Sequence, residues 1–166
     1  GRNEEAATHL AEAVALLEAN APGPQLANAY RMGSSLHFLD HNYEAAMVAA
    51  EQSIAVSEGL GDTAASLSAH NLIGSCLLFI DYERGCRYLE ENLARAEKLG
   101  ISSVAGHAYT NLASASCELY QLDRAMNYLR DGLAYAGEHD LDRYRLYMTG
   151  WAAMAHLRLG QWDQVD

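Results

Sequence analysis

Lysine is almost missing from this chain: Lys98 is the only one. Lysine and arginine together number 11 against 22 acidic residues, a formal net charge of −11. A surface of that sign repels phosphate backbones, so direct DNA or RNA binding by this segment is not expected. Proline is confined to Pro22 and Pro24, so nothing after residue 24 breaks a helix by losing a backbone donor. The three cysteines, Cys76, Cys86 and Cys117, form no C-x-x-C pair. An odd count without metal spacing suits small core thiols in a reducing cytoplasm, the expected location. No uninterrupted run of about 18 apolar residues occurs, so no membrane span is expected. The phosphate-binding pattern G-x-x-x-x-G-K-[ST] is missing, since Lys98 follows Glu97, and no nucleotide cofactor is implied. The first residues, Gly1 to Glu5, carry neither an initiator Met nor a signal-peptide pattern, and the chain reads as a fragment of a longer protein.

What the chain does have is a period. The segments beginning at Leu10, Ala50, Leu89 and Leu129 align at spacings of 40, 39 and 40, with Ala6, Ala46, Gly85 and Ala125 four residues upstream. Self-similarity at this length signals stacked helical hairpins. Half of the residues are hydrophobic, and no strand-like alternation of useful length appears. The expected fold is therefore all-α: a tetratricopeptide-like helical-hairpin solenoid, a right-handed superhelix. It fills one domain, 1–166, with repeats at about 24–62, 63–101 and 102–140 and partial repeats at 1–23 and 141–166.

Helices are expected near 3–20, 25–40, 42–59, 63–80, 82–98, 102–119, 122–136 and 141–159. Gly61 and Gly100 can take the left-handed conformation that ends a helix. Asn42, Asp62, Asp81 and Ser102 can accept from the free amides of the next first turn. The first helices carry packed stripes at three-one-three spacing: Ala29, Met32, Gly33 and Leu36; Ala69, Leu72, Ile73 and Cys76; Tyr109, Leu112, Ala113 and Ser116. Tyr43, Tyr82, Leu122 and Trp162 share one place at the start of the second helices, where a large group can plug the turn.

The turns Asp40-His41-Asn42-Tyr43-Glu44-Ala45-Ala46 and Leu119-Tyr120-Gln121-Leu122-Asp123-Arg124-Ala125, with Leu159-Gly160-Gln161-Trp162-Asp163, resemble the "G-D-Y-x-x-A" passage of the tetratricopeptide repeat in its version of about 40 residues. Gly85 in place of the usual Ala, the bulk of Ile73 and the missing closing proline depart from the consensus. The phrases Ala69-His70-Asn71-Leu72-Ile73-Gly74-Ser75, Tyr109-Thr110-Asn111-Leu112-Ala113 and Gly132-Leu133-Ala134-Tyr135-Ala136 resemble the repeat region of LuxR-type, maltose-regulator-like ATPase transcriptional regulators. That resemblance implies a cytoplasmic sensing or interaction segment between an ATPase and a helix-turn-helix domain, without ATP or DNA binding of its own.

Turning the first helices away from their packed stripes gives a candidate groove of neutral, aromatic and hydrogen-bonding groups: Tyr30, Ser34, His37, His70, His107, Thr110, Ser114 and Tyr147, with Gly74, Leu77, Cys117 and Met154 beside them. Such a surface suits a protein or peptide partner, or a small-molecule inducer. The bland alternative is that it is the less constrained side of each repeat, and the protein a spacer or oligomerisation scaffold. Asn71 and Asn111 can hold a peptide backbone or, more simply, join neighbouring helices. His37 and His41 are spaced i,i+4 but have no assured third ligand, so no metal is assigned. His156 falls on the packed stripe of the last helix. No nucleophile stands beside a base: Ser116, Cys117 and Glu118 are immediate neighbours and point apart. No catalytic residue and no cofactor are therefore assigned. Met148, Trp151, Ala152 and Leu159 are expected at an open edge prone to self-association.

Overall fold

The computed structural model describes the backbone of residues 2–164 and the side chains of residues 5–163. Among the described residues the chain is all-α, with eight helices and no strand. They are α1 (Arg2–Glu18), α2 (Pro24–Leu39), α3 (Tyr43–Gly59), α4 (Thr63–Ile80), α5 (Tyr82–Lys98), α6 (Ser102–Glu118), α7 (Leu122–Glu138) and α8 (Asp142–Arg158), followed by a 3-10 turn at Trp162–Gln164. They form two compact units, Gly1–Gly85 and Cys86–Asp166, the division falling within the first turn of α5.

The turns repeat one construction. His41, Gly61, Gly100, Tyr120, Asp140 and Gly160 all have left-handed backbones, with φ between 54° and 72°. After each, the next amide reaches back to the carbonyl five residues earlier. Asn42 thus donates to His37 at 2.9 Å, Asp62 to Ser57 at 2.8 Å and Gln121 to Ser116 at 2.8 Å. This closure satisfies carbonyls that the helix end leaves free. The same residue then starts the next helix: Asn42 accepts from the Ala45 amide at 3.2 Å and Asp62 from the Ala65 amide at 3.0 Å. Three of the six left-handed positions are not glycine, and each costs roughly 1 kcal/mol or more in local strain. Two are held by neighbours. The His41 ring meets the Tyr43 hydroxyl at 3.0 Å. The Tyr120 ring lies 4.6 Å under the Arg158 guanidinium, which also donates to the Cys117 carbonyl.

The left-handed turns recur every 20 residues except between Gly61 and Gly100. There the α4–α5 turn is a single extended residue, Asp81, at φ −147°. Asp81 still accepts from the Arg84 amide at 3.1 Å. This turn has one residue where the left-handed turns have three, and α4 is one residue longer than α3, so the central spacing is 39 and the first turn of α5 lies close on the end of α4. A Cβ added to Gly85 would lie 2.3 Å from the Leu78 backbone nitrogen. Glycine therefore replaces the alanine found at Ala46 and Ala125 because backbone occupies the space.

In the first unit α2 packs on α3, α3 on α4, and α1 on α2. Its core uses small residues where helices meet: Ala29, Ala46, Ala50 and Ala69 are buried beside Leu67 and Leu72. The Ser53 hydroxyl donates to the Ala27 carbonyl at 2.7 Å and ties α3 to α2. Phe38, Tyr43 and Phe79 form an aromatic cluster, with Tyr43 stacked on Phe79 at 5.6 Å. Tyr43 thus plugs its turn, as its place at the head of a second helix predicts. Helix α4 has a mean hydropathy of 1.4 over 18 residues, enough by length and composition to cross a membrane. It is a core helix, with 11 buried residues. Glycine, serine, asparagine and histidine interrupt its apolar run, which is why no long run is visible in the sequence.

In the second unit α6 packs on α7, and α8 on both. Ala113, Cys117, Ala125, Leu129, Ala136, Met148 and Ala155 form the core. Glycine allows close approach at Gly132, where a Cβ would lie 2.7 Å from the Met148 sulfur. Met148 is therefore interior and not on an open edge. Trp151 and Ala152 pack half-buried against the same core. Leu159 is 38% exposed. Ser102 does not cap α6; it is the first helical residue, and the cap position belongs to Ile101, whose side chain cannot accept.

Candidate functional site

The one-residue deletion at Asp81 shifts the phase of everything after it. Tyr30 donates its hydroxyl to Glu18 at 2.5 Å, and Tyr109 donates to Glu97 at 3.1 Å. Both pairs join the end of a second helix to the following first helix, and they lie 79 positions apart. Tyr109, not His107, is thus the counterpart of Tyr30 and His70. The third predicted groove set, His107, Thr110 and Ser114, is out of phase with the first. So is the third predicted stripe, since the counterparts of Ala29, Gly33 and Leu36 are Ala108, Leu112 and Ala115. Ala108 and Leu112 are fully buried, whereas Met32 in the first stripe is 49% exposed.

Four of the eight predicted groove residues lie in each unit. In the first, Tyr30 is half-buried and latched to Glu18, Ser34 is wholly enclosed, His37 is exposed and His70 is half-buried. In the second, His107 is half-buried and stacks on Tyr144 at 6.1 Å. Thr110 is buried, its hydroxyl donating to the His107 carbonyl at 2.7 Å. Ser114 is half-buried and donates to the Asn111 carbonyl at 3.4 Å. Tyr147 is 52% exposed and lies edge-on to Trp151 at 6.3 Å. Ser34 and Thr110 are therefore packing residues and not groove surface. Gly74, Leu77 and Cys117 are likewise buried, and Met154 is 40% exposed. The reason is shared: within each unit a first helix packs against a second helix and another first helix, so only part of it reaches solvent.

Tyr30 and His37 do face one hollow. Helices α1, α2 and α3 all contribute to its lining. The half-open gap between α1 and α3, floored by α2, has a volume of about 370 Å3. Glu18, Tyr30 and Gln52 stand at one end, and His37 and Asp40 toward the other. The walls between them are apolar. Among the described residues no lysine or arginine lines it, and its carboxylates are Glu18 and Asp40. The Glu18 carboxylate holds the proton on the Tyr30 phenol, raising its pKa. This hollow was not legible from the groove pattern, because half of its lining comes from the second helices α1 and α3.

The remaining candidate residues do not line the hollow. Asn71 is fully buried, out of reach of any peptide, and Asn111 is half-buried. His41 sits on the turn against Tyr43. Among the described residues no group of three His, Cys, Asp or Glu side chains converges. His156 is half-buried, with its ring 2.8 Å from the Gln161 amide oxygen. All three cysteines are free and buried. Burial pushes the Cys76 thiol up to about 11, which suits packing and not nucleophilic chemistry. On α8 an apolar strip is exposed at Leu146, Met154 and Leu157, with Trp162 beyond it.

No protein-family model and no curated protein matches this chain.

Proposed function

We propose that the chain is a non-catalytic interaction and signal-sensing segment of tetratricopeptide type, and that it belongs to a larger cytoplasmic regulator of the LuxR-like ATPase class. The observation that carries this reading is the recurrence of one helical hairpin with one turn construction: six left-handed turns, five of their intervals being four of 20 residues and one of 39. Such arrays spend their side chains on stacking and offer exposed strips to a partner or inducer. The step from repeat to regulator rests on the sequence resemblance and not on the geometry.

A second reading, a spacer or scaffold without a ligand, is favoured by the enclosure of Ser34 and Thr110 and by the Tyr30–Glu18 latch. Two experiments separate the readings. The reading frame around this segment should encode a phosphate-loop ATPase upstream and a helix-turn-helix domain downstream; a frame lacking both removes the regulator assignment. In the whole protein, His37→Ala and His70→Ala should weaken the response to inducer or partner with little change in melting temperature. The scaffold reading requires the opposite: no effect there, and loss of assembly when the α8 strip is altered at Leu146 or Trp162.

A further inference from the structure

The hollow in the first unit has a filled counterpart in the second, and the comparison shows what fits it. In the second unit the seam between α5 and α7 is closed by two side chains of α7. The Tyr128 phenol donates to Glu90 at 2.5 Å, and the Arg124 guanidinium lies 3.7 Å from the Cys86 sulfur. Moving back 79 positions, the spacing that relates the Tyr30–Glu18 and Tyr109–Glu97 pairs, gives the first-unit equivalents. Tyr128 becomes Ala49, Glu90 becomes Ala11, Arg124 becomes Ala45 and Cys86 becomes Ala7. Beneath them the buried Leu112 becomes Gly33. Every group that closes one seam is cut back in the other. Ala7, Ala11, Gly33 and Ala49 line the resulting space, with Leu10 and Val14 as its apolar wall.

Packing does not require this. A methyl on Gly33 would meet its nearest neighbour, Leu10 Cδ2, at 3.6 Å, an ordinary contact. Glycine inside a helix costs roughly 1 kcal/mol against alanine, and nothing in the local structure recovers that cost. A hollow of about 370 Å3 is also within the range of small-molecule sites.

We propose that this hollow is a binding site for a small aryl-alkylamine. The aromatic ring takes the place that the Tyr128 phenol holds in the other seam, between Ala11 and Ala49. The cationic group takes the place of the Arg124 guanidinium, one helical turn or about 6 Å toward the start of α3. Asp40 lines that end, where the second unit has Leu119. An acid thus appears where an added cation would sit, and among the described residues no lysine or arginine lines the hollow beside it. This rests on the reading of the segment as a ligand-receiving one and names the ligand's chemistry.

Titration calorimetry with tyramine tests it on this chain. Tyrosol, its uncharged alcohol analogue, and 4-hydroxyphenylacetate, its anionic analogue, serve as controls. Tyramine should saturate, tyrosol should bind about fivefold more weakly, as loss of one exposed ion pair implies, and the anion should not bind. Ala11→Glu with Ala49→Tyr rebuilds the closed seam and should abolish binding without lowering the melting temperature. Ala49→Met fills the same space without a new polar group, and should also abolish it if the double variant is less stable. Asp40→Asn should remove the preference for tyramine over tyrosol. Tyramine that fails to bind at roughly 10 mM, or that binds the filled variants as it binds the parent, overturns the proposal. The broader sensing reading is judged separately by the His37 and His70 variants in the whole protein, whose outcome does not depend on tyramine.

Discussion

Gly85 and Leu78 touch backbone to backbone: a Cβ on the glycine would stand 2.3 Å from the leucine nitrogen. The contact exists because a single residue, Asp81, joins α4 to α5. Backbone cannot step aside as a side chain can. Gly85→Ala is therefore expected to cost ~3 kcal/mol or more, at or above the upper end of usual overpacking penalties. Gly33→Ala, whose methyl meets only Leu10 Cδ2 in an ordinary contact at 3.6 Å, should instead be neutral or stabilise by up to ~1 kcal/mol through helix propensity. Denaturant unfolding of the two variants gives both values, and equal losses would contradict the packing described.

Ala125 is fully buried at the α6–α7 crossing. A leucine there forces the helices apart, and Ala125→Leu should lose ~1–3 kcal/mol. Unchanged stability would mean that the repeat phase in the second unit is misassigned.

The Ser53 hydroxyl donates to the Ala27 carbonyl inside the first unit, with Ser53 only 1% exposed. Ser53→Ala removes that bond and leaves a buried carbonyl one partner short, at a cost of ~1 kcal/mol. The loss should appear equally in thermal and urea unfolding.

The phenols give the protein an alkaline limit. Burial, followed by the Glu97 charge, raises the Tyr109 pKa above its ordinary 10.0. Burial, followed by the Glu90 hydrogen bond, raises that of Tyr128. The Cys76 thiol, raised by burial to about 11 from 9.0, acts in the same sense. A raised folded pKa means that the unfolded chain loses its protons first. The stability these groups contribute is complete below the unfolded values and is lost as pH climbs through the folded ones. Stability should therefore fall above pH ~9–10, and the combined Tyr109→Phe and Tyr128→Phe variant should fall less steeply. A parent protein equally stable at pH 8 and pH 11 would contradict this.

Cys76, Cys86 and Cys117 are all buried and free. A thiol reagent should label none of them in the native protein within minutes and all three after unfolding, since reaction needs an accessible thiolate. Rapid native labelling of any one would show that its helix is not packed as described.

The sequence by itself determined the helices and their turns. The period near 40, Gly61 and Gly100, and the acceptors Asn42 and Asp62 are local signals, because a helix end must satisfy its own free backbone groups within a few residues. It also showed that the central spacing is one residue short. What that deletion did was decided only in three dimensions. It imposed Gly85 and shifted the phase, so that Tyr109 and not His107 answers Tyr30. The burial of Ser34 and Thr110 was likewise beyond sequence, because a small polar residue on a helix reads the same inside or outside until its neighbours are placed. The hollow is the clearest case. Ala7, Ala11 and Ala49 are ordinary helix formers along the chain, and only the placing of α1 and α3 over α2 turns their missing atoms into a hollow.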